Sequence, residues 1–322
     1  MTHDRVNFPR RVGVFSDMRH HRSGASLALL ILFAVAATGC ASPPRTVALP
    51  ATPALESIVE SPTTSPTPEP EPSQPPTPPP TRAPGKPPKT ARPDALTAAV
   101  RAVQGSATVG ALVIDRESGG EVLAVQPDRG FRSASLVKLL MAIDALGRGA
   151  DTRTRERIEV MLRLSDDDVA DALWVQGGGA ALVTRTARAI GLTGARPPAI
   201  PGRWGDVLLT PRDIGRIYLH VLNRLPAADR DLIVAALAAA PRQAADGFDQ
   251  HFGIPDGVTA QWAVKQGWSN SKSDIVLHST GLVGPRWRYV VVLLTEHPLS
   301  VRWKTAAHSV TAGAETLNRL FT

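Results

Sequence analysis

The sequence predicts an α+β domain built as two lobes, and three observations carry that prediction. Strand-like segments group at the two ends of the domain, two early and three late. The stretch between them reads as a series of helices and loops. A helical segment opens the domain and another closes it, which is the order expected when terminal helices cover a sheet and a helical insert sits beside it.

Taken in order, residues 94–103 have the apolar spacing of a helix. Residues 108–115 (TVGALVID) read as a strand, 117–120 as a turn and 122–125 as a second strand. Ser135 opens a helix that runs to about Leu146, with Gly147 marking its end. Residues 153–164, 167–175 and 180–190 read as further helices. Residues 196–205 hold Pro197, Pro198 and Pro201 and read as a loop. Thr210-Pro211-x-Asp213 joins a cap, a first-turn Pro and an acidic third position. That helix runs to about Leu225, and residues 232–240 form another. Residues 262–267, 274–280 and 288–296 are three strands in series, and 301–320 close the chain as a helix.

The chain has 322 residues, and all six Trp fall after residue 92. The core therefore belongs to residues 94–322, long enough for one large domain or two packed lobes. Residues 1–39 read as an export signal. Arg19 to Arg22 are basic, the stretch from Ala25 (ASLALLILFAVAA) is apolar, and Ala37-Thr38-Gly39-Cys40 follows. The apolar run is too short to span a membrane comfortably. Met18 offers a second possible start, and Arg10-Arg11 faintly resembles a twin-arginine signal. Small residues directly before Cys40 resemble a bacterial lipobox, with Ala37 where Leu is commoner. That resemblance implies a diacylglyceryl group on the Cys40 thiol, cleavage before it, and a membrane anchor on the extracytoplasmic face.

Residues 40–93 form the expected tether. The 53 residues from Ala41 to Pro93 hold 18 of the chain's 29 prolines. Proline removes backbone donors and favours extended polyproline conformations, so about 50 such residues at ~3.1 Å each reach up to ~150 Å. A passive spacer is the expected role, and a PxxP ligand the alternative.

The net charge of +7 does not point to nucleic acid. Residues 1–92 hold ten Lys or Arg against six acids, which leaves about +3 on the domain, with both signs interspersed. Cys40 is the only cysteine, so neither a disulfide within the chain nor a Cys-based metal site is available. His251, His278, His297 and His308 lack metal-ligand spacing, and no G-x-S-x-G elbow occurs. No metal and no cofactor is expected. His278, in an apolar strand, reads as a satisfied core residue.

Ser135-Leu136-Val137-Lys138 is Ser-x-x-Lys at a helix start. Residues three apart share a helical face, so hydroxyl and amine can meet. A Lys whose pKa is lowered by burial can take the Ser proton, and the helix start supplies N–H groups for an oxyanion. Ser269-x-x-Lys272 also matches the pattern, in an expected hairpin, so the pattern alone decides little. Ser165-Asp166-Asp167 precedes a helix, and Lys265-Gln266-Gly267 ends a predicted strand.

Together these motifs, with the runs FRSASLVKLL, RLSDDDVADALW, LLTPRDIGRIY and SDIVL, resemble the penicillin-recognising serine enzymes, class A β-lactamases and D,D-peptidases. The resemblance spans residues 94–322. It implies a five-stranded antiparallel sheet flanked by terminal helices (residues 94–134 and 206–322) and an all-helical lobe (135–205). It implies Ser135 as acylated nucleophile, Lys138 as base or proton relay, and Ser165 as proton donor toward the leaving nitrogen. Lys265 would supply charge to a substrate carboxylate and to Ser165. The backbone N–H groups of Ser135 and Trp268 would form the oxyanion hole, and Lys272 stands near the position of a carboxylate-binding Arg. Asp167, Lys265, Gly267, Trp268 and Lys272 are thus the candidate substrate-binding residues. Simpler structural roles compete for each. Ser165 with Asp168 can be a capping box, Lys265 a solvated strand-end residue, and Lys272 an ordinary turn residue.

Four departures qualify the resemblance. No Glu lies between Glu159 and Glu296, so the loop before the Thr-Pro helix lacks the deacylating base; its one acid, Asp206, resembles a structural residue. Asp167 stands where the family has Asn, and a carboxylate cannot donate to a substrate carbonyl. Near Lys138 it would also favour the protonated amine. Gln266 replaces a hydroxyl, which weakens carboxylate binding. Only 30 residues separate Ser135 from Ser165, so the helical lobe is reduced and the cleft more open. The expected function is a serine acyl-transfer enzyme forming an acyl-enzyme on Ser135 with peptidoglycan-type or β-lactam ligands. The alternatives are a catalytically silent cell-wall binding protein and, third, a true β-lactamase.

Overall fold

A computed structural model describes residues 91–322; the expected signal, Cys40 and the Pro-rich stretch up to residue 90 lie outside the described residues. Within 91–322 a five-stranded antiparallel sheet runs in the order β2-β1-β7-β6-β5. Its strands are β1 (Thr108–Asp115), β2 (Gly120–Val125), β5 (Trp262–Asn270), β6 (Asp274–Val283) and β7 (Tyr289–Pro298). A separate pair joins β3 (Phe131–Arg132) to β4 (Leu208–Leu209).

Alternation along the strands gives the sheet two apolar faces. Leu112, Val290 and Val292 pack on one side, against the helices that follow β3. Val109, Val113, Val291 and Leu293 pack on the other, against α1 (Pro93–Val103) and α9 (Trp303–Glu315). The helical insert comprises α2 (Lys138–Gly147), α3 (Thr152–Leu164), α4 (Asp167–Gln176) and α5 (Ala180–Ile190). The later helices α6 (Pro211–Asn223) and α7 (Ala227–Ala238) and the short α8 (Ile254–Gly257) precede β5, and α10 (Asn318–Phe321) ends the chain. The α6 start is the expected capping box, with Thr210 and Asp213 each bonding the other's backbone.

Several boundaries differ from the sequence reading. Strand β5 continues to Asn270 because residues 262–270 pair with 275–283 of β6 throughout, so Lys265-Gln266-Gly267 lies mid-strand and not at a strand end. Helix α7 begins at Ala227, not at residue 232, and the closing helix is broken between Glu315 and Asn318. The β3–β4 pair and α8 are too short to show periodicity. No helix of the described residues is long and apolar enough to cross a membrane.

Candidate active site

Ser135 lies on the 3-10 turn Ala134–Val137, which runs directly into α2. Ala134 takes a left-handed conformation, with φ 46°, a sparsely populated state for a residue with a side chain. The spacing of three places Lys138 Nζ 3.0 Å from Ser135 Oγ. Both side chains are buried.

The α3–α4 junction supplies the next group. Ser165 ends α3 in a left-handed conformation, φ 55°. Asp166, not Ser165, caps α4, accepting the Val169 N–H at 2.9 Å. The Ser165 hydroxyl is therefore free of capping. It lies 2.9 Å from Lys265 Nζ and 3.3 Å from Lys138 Nζ, while the Ser165 carbonyl accepts from Lys138 at 2.6 Å. Lys265 also donates to the Gln266 carbonyl at 3.0 Å and is buried, not solvated at a strand end. Ser135, Lys138, Ser165 and Lys265 thus form one continuous chain of polar contacts.

Asp167 joins this chain, its Oδ1 2.5 Å from Lys138 Nζ. Two acceptors that cannot donate, this oxygen and the Ser165 carbonyl, take two of the Lys138 hydrogens. The remaining direction faces Ser135 Oγ. A protonated Lys138 donates there, whereas a neutral Lys138 presents its lone pair to the hydroxyl proton. Burial pushes the Lys138 pKa below the ordinary lysine value, and the Asp167 carboxylate opposes that shift. Lys265 is pushed further down, first by burial and then by the neighbouring Lys138 charge. Among the described residues no carboxylate forms an ion pair or hydrogen bond with it.

The remaining candidates divide. Gly267 packs beneath the turn that carries Ser135: a Cβ there would stand 2.9 Å from the Ser133 carbonyl oxygen and 3.2 Å from Leu136 Cγ. The indole of Trp268 turns to Phe248, stacked at 4.7 Å, and donates to Asp246 at 3.1 Å. Its side chain is thus engaged outside the Ser135–Lys138–Ser165 group. Lys272 is an exposed residue of the β5–β6 turn, with no hydrogen bond or ion pair to another described residue. The Gln266 amide group donates to the Gln250 and Phe252 carbonyls at 3.0 and 2.6 Å, so it ties down that segment.

Two residues bear on the site that the sequence reading did not single out. Trp204, on the loop before β4, sets its ring 5.1 Å from Lys138 Nζ and donates its indole N–H to Asp171 of α4 at 2.7 Å. Arg132, just ahead of the Ser135 turn, bonds Ser269 Oγ at 3.0 Å and pairs with Asp274, with Asp206 at 3.6 Å. Asp206 also pairs with Arg203 at 2.5 Å. Trp204 was the lone aromatic within the breaker-rich loop, a weak signal; Arg132 gave none. His278, on β6 opposite Gly267, accepts from the Thr295 N–H through Nδ1 at 3.2 Å and donates from Nε2 to the Arg132 carbonyl at 2.7 Å. It is a fully bonded core residue, as expected. Among the described residues no group of His, Asp and Glu is placed to hold a metal ion.

Comparison with known proteins gives two kinds of relative. The mycobacterial protein LppW, named as a lipoprotein and found in Mycobacterium tuberculosis and Mycobacterium bovis, is 35% identical over 222 residues, 66% of this chain and 69% of its own. No family model matches the chain. Solved structures share the fold at low identity. The β-lactamase from Streptomyces albus G aligns with TM-score 0.58 and 20% identity, over 71% of this chain and 99% of its own. The L2 protein complexed with relebactam aligns with TM-score 0.59 and 17% identity, over 71% and 98%. A single-site mutant of PBP-A, solved as an acyl-enzyme complex with penicillin G, aligns with TM-score 0.57 and 20% identity, over 73% and 99%.

Proposed function

The chain belongs to the family of the mycobacterial protein LppW and has the fold of class A β-lactamases, and from that premise we propose a lipid-anchored envelope protein that transfers acyl groups through Ser135. The single observation that carries the proposal is the contact chain from Ser135 Oγ through Lys138 Nζ and Ser165 Oγ to Lys265 Nζ, at 3.0, 3.3 and 2.9 Å. Lys138 takes the Ser135 proton as Oγ attacks an acyl carbonyl. The proton passes by Ser165 toward the leaving group, with Lys265 holding Ser165 in place. The backbone N–H groups of Ser135 and Trp268 receive the oxyanion. Peptidoglycan-type acyl donors are the expected class, and β-lactams are reactive mimics.

Hydrolysis of the acyl-enzyme is slow in this reading. The loop before β4 offers an indole over Lys138 in place of a carboxylate base, and its one acid, Asp206, is held by Arg203 and Arg132. A second reading, a silent binding protein, is favoured by the 2.5 Å Lys138–Asp167 pair, which favours the charged amine against the effect of burial. Intact-mass measurement separates the two. After incubation with penicillin G or an activated neutral ester, acyl transfer predicts a covalent adduct that is lost in Ser135→Ala. Absence of any adduct sinks the nucleophile assignment. Membrane attachment rests on the Ala37–Cys40 sequence and on the lipoprotein name of the relative. Cys40→Ser should move the protein from the membrane to the soluble fraction.

A further inference from the structure

A cleft that selects an acid-terminated donor needs a cation free to meet the carboxylate. In this structure every candidate cation except Lys272 is already engaged. Lys138 is fully buried and paired with Asp167. Lys265 is buried, with two of its hydrogens directed to Ser165 Oγ and the Gln266 carbonyl. Arg132 is paired with Asp274 and approached by Asp206. The Gln266 amide donates to two backbone carbonyls, and its oxygen is buried without a partner. Lys272 stands on the exposed β5–β6 turn.

The carboxylates, by contrast, are close and partly open. Asp167 keeps 54% of its side chain exposed while it pairs with Lys138. Asp166 and Asp246 also act electrostatically on Lys138, and Asp246 on Lys265. Three carboxylates therefore bear on the two lysines of the Ser135 group, while Arg132 and Arg203 are already paired with Asp274 and Asp206. A ligand carboxylate entering here meets like charge without a compensating hydrogen-bonded cation, which is how sites reject ligands as well as select them.

We infer that the acyl donor this cleft accepts carries no carboxylate beside the scissile bond: an ester, or an internal or amidated peptide, is the fitting substrate class. This deepens, and rests on, the acyl-transfer reading. Ser135 Oγ attacks the donor carbonyl and its proton goes to Lys138. The bond to the uncharged leaving group breaks, that group takes the proton, and the acyl ester of Ser135 remains. No oxidant or further reactant is needed. Acid-bearing donors, penicillins included, react through the same Ser135 but slowly.

The test uses one matched pair of donors, the thioester of an N-acylated D-alanine with thioglycolate and the same thioester with methyl thioglycolate. They differ in one carboxylate on the leaving group, and each acylation rate is divided by that donor's rate of hydroxide hydrolysis so that leaving-group reactivity cancels. Adduct formation on Ser135 is followed by intact mass on the whole domain, with thiol release as the second readout. The methyl ester is expected to acylate at least tenfold faster. In Asp167→Asn the acid donor should gain more than the neutral one, narrowing the gap. Equal rates, or preference for the acid, overturn the inference and leave Ser135 as nucleophile intact. No adduct from either donor overturns the acyl-transfer reading and this inference with it.

Discussion

Lys138 Nζ stands 2.5 Å from Asp167 Oδ1 and 3.0 Å from Ser135 Oγ, so one amine is shared between a carboxylate and a hydroxyl that the proposed acyl transfer would have it deprotonate. The two partners ask for opposite protonation states. Burial favours the neutral amine that the proposed acyl transfer needs, and Asp167 favours the ammonium. Reactivity of the site turns on that contest.

Asp167→Asn removes one side of it. The amide keeps the shape and drops the charge, so Lys138 loses protons at lower pH. We expect acylation of Ser135 at neutral pH to rise by roughly tenfold, the factor given by about 1.4 kcal/mol of lost ion pairing. The rise of rate with pH should shift to lower pH. A rate profile for adduct formation between pH 5 and 9 reads both effects, and an unchanged or lower rate counts against Asp167 as the brake.

Trp204 bears on the same amine from above. Its ring excludes water from Lys138, and a cation–π contact of this kind contributes about 0.5–2 kcal/mol. Trp204→Ala should hydrate Lys138 and admit water to the acyl ester. Adduct half-life should shorten in Trp204→Ala and change less in Trp204→Phe, which keeps a ring but not the N–H bonded to Asp171. Equal half-lives in all three proteins would remove Trp204 from the account.

Ser135 and Lys138 were legible because helical spacing alone brings residues three apart together, and the α6 start was legible because a capping box is local. What escaped depends on distant pairing. The length of β5 is set by β6, so no signal within residues 262–270 could show that Lys265 lies mid-strand. The left-handed turn at Ser165 moves the cap of α4 to Asp166 and releases the hydroxyl, a backbone choice that side-chain pattern does not reveal. Trp204 and Arg132 reach the site from a loop and a two-residue strand, where periodicity has no length to act.

Gly267 is a positional requirement that can be measured. β5 passes so close to the nucleophile turn that a methyl group at Gly267 would press on the Ser133 carbonyl and Leu136. Gly267→Ala should cost about 1–3 kcal/mol by overpacking, and about 2–4 °C of Tm for each kcal/mol in a domain of this size. Acylation should fall with it, since the displaced turn carries Ser135. Thermal unfolding and adduct rate on the same sample test this; a variant as stable and reactive as the parent would show that the strand can retreat.

His278 connects the sheet to the same turn and makes stability depend on acid. Its Nδ1 accepts from the Thr295 N–H and its Nε2 donates to the Arg132 carbonyl, so only the neutral ring satisfies both neighbours. Complete burial pushes its pKa down to about 4 from the ordinary value of 6.5. His297, whose Nδ1 is buried without a partner, is likewise pushed down to about 4 by burial. Between these values the unfolded chain binds more protons than the folded one, so stability rises with pH across this window. It is full above about pH 6.5, is lost as pH falls toward about 4, and changes no further below. For His278 alone the loss amounts to about 3 kcal/mol. Urea unfolding at pH 7, 5.5 and 4.5 should show a falling midpoint, and His278→Gln should flatten that slope even though it lowers stability at pH 7. The same slope in the variant would place the acid sensitivity elsewhere.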